Sequence, residues 1–482
     1  MPISVIIIFF LAGLGLLFLG IPISSVMAII GVVGGLLVFG LPFMNSIGSV
    51  TWGVHNSFIL TAVPLFILMG EILLRSGIAD KMYESLAKWM GWMPGNLLHT
   101  NIGCCALFSA TTGSSVACAA TVGTVALPAL EERGFSKKLS LGSLAAGGTM
   151  GILIPPSIAL IIYGSLTNNS ISQLFVAGVI PGILLTLGFI VYLMIASIYL
   201  GNTGTLEVSW TERFQALPDM VPPLMIFFIV MGSIYFGFAT PTESAALGIM
   251  TALFFAWKSG RLTFNMLHRC FVNTAQLTGM IILIITAAFI LNLTLSLLGV
   301  AELLTRNVMS LNLSLTQLTF VMILFYIVLG MFLDVLSIQV ATIPIAYPIM
   351  TAAGADPIWF GIFIVLMSEV AMITPPMGMN LFVIQSVRSD KGPLSDVIWG
   401  ALPFAAIMLA FTVLLIFLPE LVTWLPAKMR GQGRCRIPPK DLYPTSLSLP
   451  LAEMRFIPPG SREPAKNSSR SRPRRHILCC RF

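Results

Sequence analysis

The sequence predicts an all-α polytopic membrane protein built from two related halves. Three observations carry that expectation. First, 57% of the 482 residues are hydrophobic and only 9% are charged, with a mean hydropathy of +0.95. Soluble domains carry about 25% charge. Second, apolar runs of about 20 residues, the length that crosses a bilayer, recur about ten to twelve times before residue 426. Third, two double prolines, Pro155-Pro156 and Pro375-Pro376, interrupt apolar runs, one in each half. Pro128 and Pro348 are separated by the same offset as the two pairs. Ile21-Pro22-Ile23-Ser24-Ser25 precedes Thr240-Pro241-Thr242-Glu243-Ser244 by almost that offset. Three proline coincidences in one order argue for a duplication.

The elements follow in order. Apolar runs over 3–19 and 26–39 form the first spans, and 58–74 the next, with Pro64 inside it and Glu71 near its end. Residues 75–92 mix Lys81, Glu84 and Lys88 with Met82, Leu86, Trp89 and Trp92, the pattern of a helix lying at the interface. Residues 101–130 are dense in Ser, Thr and Gly and carry no charge, which suits a re-entrant hairpin or a tight helix pair. The hairpin is placed at about 108–131. A polar turn over 131–138 leads back to the double proline at 155–156, and a long span covers 174–200. The first repeat therefore occupies 1–200, followed by a polar linker over 201–220.

The second repeat occupies 221–426. It offers spans over 222–238 and 239–257, a basic loop over 258–269 and a long span over 272–298. A short amphipathic piece covers 302–309. The second hairpin is placed at about 334–350, the second broken helix at 375–376 and a last span at 397–424. The basic loops over 75–88, 133–138 and 258–269 are candidates for the cytoplasmic side. Residues 427–482 differ abruptly from the rest. They hold 13 Lys and Arg against 3 Asp and Glu, whereas 1–426 hold 13 against 16. This composition predicts a disordered or aberrant basic tail whose Ser468–Arg475 run could bind anions. The net charge of +7 thus belongs to the tail.

Motifs of catalysis are absent. The chain has no G-x-x-x-x-G-K-[ST] phosphate loop, which argues against ATP as the energy source. Its four His residues are too scattered for H-E-x-x-H. Cys104, Cys105, Cys118 and Cys270 read as small packing residues rather than a disulfide framework. An enzyme, metal-binding or nucleic-acid role is not expected, and no cofactor is implied.

The breaks are where chemistry is expected. A helix ending at two prolines leaves its last carbonyls without donors. Carbonyl and hydroxyl oxygens suit a hard cation such as sodium, and the helix N-termini beyond the breaks suit an anionic group. The structural breaks are Pro155, Pro156, Pro241, Pro375 and Pro376. Ser114, Ser115, Thr149 and Ser157 flank the first double proline, and Ser337, Thr342, Thr374 and Asn380 the second. Ser157 and Asn380 are candidates for the substrate. Glu71, Glu243, Asp334 and Glu369 lie in or beside apolar segments, where a charge needs a partner or a wet cavity. Glu243 is placed to cap the helix after Thr240-Pro241-Thr242, and Glu369 stands just before the second break.

These residues resemble a known family. Ala239–Gly248 (Ala-Thr-Pro-Thr-Glu-Ser-Ala-Ala-Leu-Gly), Gly147–Ser157 (Gly-Gly-Thr-Met-Gly-Ile-Leu-Ile-Pro-Pro-Ser) and Thr374–Phe382 (Thr-Pro-Pro-Met-Gly-Met-Asn-Leu-Phe) are similar to motifs of the large membrane subunit of tripartite ATP-independent periplasmic (TRAP) transporters. The match is to the four-carbon dicarboxylate and sialic acid type and covers about 1–426. Cys118 and Met367 depart from the commoner family residues. The resemblance implies an inverted-repeat ion-transporter-like fold with two re-entrant hairpins, and a scaffold bearing a transport domain that moves as an elevator. It implies sodium-coupled uptake of an organic acid across the inner membrane. The acid is delivered by a periplasmic solute-binding protein, and a small membrane subunit is the other partner. It implies a first sodium site from Ser109, Thr112, Ser114 and Ser115 with Gly148, Thr149 and Ile154. A second takes Asp334, Ser337 and Thr342 with Thr374 and Gly378. The alternative is a single-component sodium- or proton-coupled organic anion symporter without a binding protein.

Overall fold

The computed structural model describes residues 11–432 except 14, 18, 201–207 and 377. Among the described residues the regular structure is wholly helical. The start of the first expected span, part of the linker and the tail beyond 432 lie outside them.

The first half contains α1 (Ile23–Phe39), α2 (Pro42–His55), α3 (Ala62–Arg75) and α4 (Ile78–Met90). They are followed by α5 (Leu97–Thr112), α6 (Ser115–Glu132), α7 (Lys137–Leu153), α8 (Ile158–Thr167) and α9 (Ile171–Tyr199). The second half runs through α10 (Trp210–Tyr235), α11 (Pro241–Lys258), α12 (Phe264–Leu297), α13 (Val300–Ser310) and α14 (Leu315–Gly330). It continues through α15 (Val335–Ala352), α16 (Pro357–Ile373), α17 (Met379–Val387), α18 (Leu394–Phe417) and α19 (Glu420–Gln432). The helix boundaries keep a register. α6 maps onto α15 and α7 onto α16, at both ends, by the same offset that separates the double prolines. α5 and α14 match in length and keep nearly that offset. The 42–75 stretch holding α2 and α3 likewise matches the whole of α12 in length and approximate offset. One half breaks at Asn56–Thr61 what the other runs as a single helix.

Several expectations need correction. Only six described stretches are long and apolar enough to cross a membrane, one of them α7 and α8 taken together across the first break (Lys137–Thr167), or seven if α3 and α4, bent by 69°, count as one. The ten to twelve apolar runs read from the sequence also take in shorter apolar helices, α1, α14 and α16. The 14-residue α2 was not expected, and α3 begins at Ala62 rather than 58. α4 keeps the expected amphipathic pattern, with Lys81, Glu84 and Lys88 exposed and its apolar face packed on the protein. Ile78, Met82, Tyr83 and Leu86 are buried, Ser85 Oγ donates to Ala216 O (2.7 Å), and Trp89 Nε1 donates to Arg213 O (3.1 Å). The linker ends at Ser209, where a capping box with Glu212 starts α10, and most of the basic loop is helical. Helix α19 runs into the stretch expected to be tail.

The core is built on the two helices that lead into the double prolines. Every residue from Leu139 to Leu153 of α7 is buried, as is every residue from Ile358 to Ile373 of α16. Small residues make this possible. A Cβ on Gly142 would meet the Gly400 carbonyl of α18, and one on Gly400 would meet the Lys138 carbonyl of α7. The helices therefore touch backbone to backbone. By contrast, α9, α10 and α12 present rows of exposed apolar side chains such as Leu187, Phe228 and Leu283. That is the distribution expected of helices facing lipid around a close-packed centre.

Polar ties cross between the halves. Tyr163 Oη donates to Pro357 O (2.6 Å) and Asn169 Nδ2 to Tyr347 Oη (3.2 Å). At the exit of α17, Lys137 Nζ reaches Asp390 (3.0 Å), and Ser389 Oγ donates to Glu131 (3.0 Å). Arg388, its side chain 2% exposed, binds Asp390 and Asp396. Its guanidinium is the first cause holding the Asp390 carboxyl well below the usual carboxylate range. Glu71, flagged as an intramembrane carboxylate, is paired with Arg75 (3.1 Å) and Asn273 (3.3 Å) and is structural.

Candidate functional site

Each half brings a helix hairpin against a broken helix. In the first, α5 and α6 fold back on each other about Gly113 and Ser114. Ser109 Oγ donates to Cys118 Sγ (3.6 Å), and Cys118 Sγ to Cys105 O (3.5 Å). Gly113 is left-handed at φ 62°, which ends α5 in one residue. Ser114 then caps α6 by accepting the Ala117 N–H (3.4 Å). The hairpin's limbs are thus 97–112 and 115–132, so the expected 108–131 covered its tip and second limb.

That tip docks on the first break. Ser115 Oγ donates to Thr149 O (3.2 Å). A Cβ on Gly151 would lie 2.6 Å from Ser115 N, and one on Gly113 would lie 2.7 Å from Pro156 O. Ile154 is extended, the Pro155–Pro156 bond is cis, and Ser157 caps α8. The Ser157 hydroxyl also donates to Ile152 O, engaging one carbonyl that the break leaves over. Thr112 Oγ1 donates to Phe108 O (3.1 Å) and Thr149 Oγ1 to Ala146 O (2.7 Å). Four helix ends therefore meet: the C-termini of α5 and α7, and the N-termini of α6 and α8.

The second half repeats the plan. α14 and α15 fold back on each other, with Tyr326 Oη 2.9 Å from Thr342 Oγ1. The limbs are 315–330 and 335–352, so the expected 334–350 held only one of them. Asp334 stands at the N-cap of α15 and accepts from Ser337 Oγ. At the tip, a Cβ on Gly330 would be 3.1 Å from the Ala371 Cα, just before the second break. Pro375–Pro376 is again cis. Thr374 Oγ1 donates to Val370 O (2.6 Å). A Cβ on Gly378 would meet Met372 O at 2.9 Å and Thr374 O at 3.0 Å, so two backbone oxygens converge there. Thr342 sits about 12 Å along α15 from Asp334 and is not brought to this break.

The two assemblies meet where α7 and α16 pack together. Asn380 of α17 crosses to the first half, donating Nδ2 to Ala145 O (3.2 Å) and lying against Gly148. Among the described residues its Oδ1 is buried without a partner. Glu369 of α16 is wholly buried. Sequence reasoning does not single out Gln339, yet it is 0% exposed and neither amide atom has a partner among the described residues. A lone amide in an apolar run, shortly after Asp334, was the available signal. Pro241 starts α11, and Glu243 closes a capping box on Thr240 (2.8 Å) at an exposed helix end, away from both breaks.

Chemically, helix C-termini hold partial negative charge and unpaired carbonyls, and N-termini hold partial positive charge and unpaired N–H groups. Each tip-and-break assembly therefore offers oxygens to a small cation and N–H groups to an anion. A cavity of about 540 Å³ lies elsewhere, among Met27, Leu295, Leu304, Phe325 and Ile345. Its carbon lining gives a carboxylate nothing to bind. Among the described residues no cluster of His, Cys, Asp and Glu could hold a metal ion.

Residues 5–421 match the family model described as the tripartite ATP-independent periplasmic transporter, DctM component. The chain is 30% identical over 447 residues to the C4-dicarboxylate TRAP transporter large permease protein DctM of Vibrio cholerae serotype O1, covering 88% of this chain and 97% of that one. It is 28% identical to the sialic acid TRAP transporter large permease protein SiaM of the same organism, covering 87% and 98%. The crystal structure of the Alcanivorax borkumensis YdaH transporter, described as having an unusual topology, superposes with a TM-score of 0.56 over 81% of this chain and 90% of that one. At 14% identity that likeness concerns the fold.

Proposed function

This chain belongs to the family of the DctM component of tripartite ATP-independent periplasmic transporters, and we propose on that premise that it takes up an organic acid by sodium-coupled secondary transport. It is a multi-pass protein of the inner membrane and the large permease subunit of its transporter. Its partners in this reading are a periplasmic solute-binding protein, which delivers the acid, and a small membrane subunit. The substrate class is a carboxylate, as in the dicarboxylate and sialic acid relatives.

The observation that carries the reading is the convergence of four helix ends at each break. Sodium is placed at the C-terminal carbonyls and nearby hydroxyls: Ser109, Thr112, Ser114, Ser115, Gly148, Thr149 and Ile154 in the first half, and Asp334, Ser337, Thr374 and Gly378 in the second. The carboxylate is placed at the N-termini beyond the breaks, with Asn380 and the Ser157 cap of α8. The shared register of helix boundaries supports two repeats, 1–200 and 221–426, set in the membrane with opposite orientations. The helices that flank the breaks form the moving transport body, and the lipid-facing α10–α12 belong to the scaffold.

The test is uptake into liposomes holding this chain with its small subunit. A panel of labelled organic acids is offered with and without an inward sodium gradient and with and without the binding protein. Uptake that needs all components supports the reading. Sodium-driven uptake without the binding protein supports a single-component symporter instead.

A further inference from the structure

Glu369 is the one carboxyl among the described residues that is wholly buried. Neither of its oxygens has a hydrogen-bond or ionic partner among the described protein groups. It faces the Leu153 N–H at the end of α7 without completing a hydrogen bond. It thus belongs to the second repeat by sequence, shortly before Pro375, and to the first break by position.

Among the described residues no neighbouring element supplies a compensating charge. Lys137 and Lys138 of α7 lie at its start, about 24 Å along the helix from Leu153. Asp396, in the first turn of α18, is held by Arg388. Glu420, Lys428 and Arg430 belong to α19, which follows the end of α18 that Trp359 binds through Leu415 O (3.0 Å). Trp359 is about 15 Å along α16 from Glu369. Asp334 precedes α15 and is engaged by Ser337. The other titratable groups on the packed helices are Tyr163, Tyr192, Tyr199, Tyr326 and Tyr347. Tyr163, Tyr326 and Tyr347 bond to Pro357, Thr342 and Asn169.

Among the described protein groups, an ionised carboxylate in that position has neither a cationic partner nor a completed donor. Burying an unpaired charge is so unfavourable that such a group takes up a proton instead. We propose that Glu369 is a proton-binding site of the transport body. It holds its proton while the α7–α16 crossing is closed, as here, and releases it to water when the crossing opens. The step is a proton transfer from carboxyl to water and involves no other reactant. The link to uptake rests on the transport reading above, and the protonation itself does not.

Glu369→Gln keeps the shape and fixes the neutral form. The infrared difference between the purified wild type and E369Q at neutral pH should show the C=O stretch of a protonated carboxyl, shifted in deuterated water. E369Q should melt above the wild type, with a gap that widens as pH rises, because an ionising acid penalises only the wild type. Sodium-driven uptake by the wild type should fall at alkaline pH, and that of E369Q should not. Carboxylate bands in the difference spectrum, with E369Q melting lower at every pH, would overturn the proposal in favour of a bound cation. Identical pH profiles of uptake would overturn its link to transport. A wild type that transports nothing refutes the transport reading instead, and the infrared and melting data still decide Glu369.

Discussion

Gly113→Ala tests whether the first hairpin tip is docked on the break. Two effects act there, and a control separates them. Gly113 is left-handed at φ 62°, and a residue with a Cβ loses roughly 1–2 kcal/mol in that conformation. The new Cβ would also lie 2.7 Å from the Pro156 carbonyl oxygen, a backbone atom that no rotamer change can move aside. The tip must lift by about 0.5 Å, and overpacking of this kind costs about 1–3 kcal/mol. Gly134, in the turn between α6 and α7, has nearly the same φ, 68°, but nothing within 4 Å of a built Cβ. Gly134→Ala therefore carries the strain without the clash. If the clash falls on sodium binding, the sodium concentration for half-maximal uptake should rise about 5- to 150-fold in G113A relative to G134A. Both variants should lose similar thermal stability from strain alone. Equal sodium dependence in the two variants would refute the docking argument, since the tip contact would then carry no part of the ion site.

Other predictions follow from single contacts. Gly400→Ala forces α18 off α7 at the Lys138 carbonyl and should cost about 3 kcal/mol or more, read as lost monodisperse protein on heating. Gly279→Ala on the open face of α12 has no such neighbour and should raise stability by about 0.5–1 kcal/mol in the same assay. Asn380→Ala removes a buried hydrogen bond to Ala145, which lowers stability by about 1 kcal/mol. It should also abolish organic-acid uptake while sodium binding persists. Unchanged uptake would make Asn380 a tie between the halves only. The Asp390 carboxyl is depressed by Arg388 first and then by Lys137. Its stabilising effect is thus complete above the ordinary carboxylate pKa and fades as pH falls through the depressed value. Lys137 is 64% exposed at its side chain, so Lys137→Ala should cost no more than about 1 kcal/mol, read by thermal melting at neutral pH.

How much of this was legible in the sequence varies with the physics of each feature. The breaks at 155–156 and 375–376 were readable because proline excludes a helical hydrogen bond wherever it stands. The cap of Glu243 on Thr240 was readable because it closes within a single helical turn. The same signature at Ser209–Glu212 marks the start of α10, inside a stretch whose polar composition reads as a linker. The first hairpin was readable as a re-entrant hairpin or tight helix pair over 101–130 from its Ser, Thr and Gly, whereas the first limb of the second reads as a simple span. Residues 315–330 look like an ordinary apolar helix, and only the fold shows what they turn back on. Gly113 as the apex, Asn380 against Ala145 and Glu369 against Leu153 were not legible. Their partners come from across the chain, 235 residues away in the case of Asn380, and no local pattern encodes such a contact. Thr342 shows the reverse error: a hydroxyl two turns from the tip was grouped with it because sequence distance alone does not tell which turn reaches a break.

The central claim is that each break, closed by its hairpin tip, holds a coupling cation. Equilibrium binding of radioactive sodium to the purified chain, without substrate or partners, tests it most directly. Saturable binding to at least two sites, weakened by Ser115→Ala at one of them through loss of the bond to Thr149, is the predicted result. Absence of saturable sodium binding, or binding unaffected by both Ser115→Ala and Gly113→Ala, would contradict it.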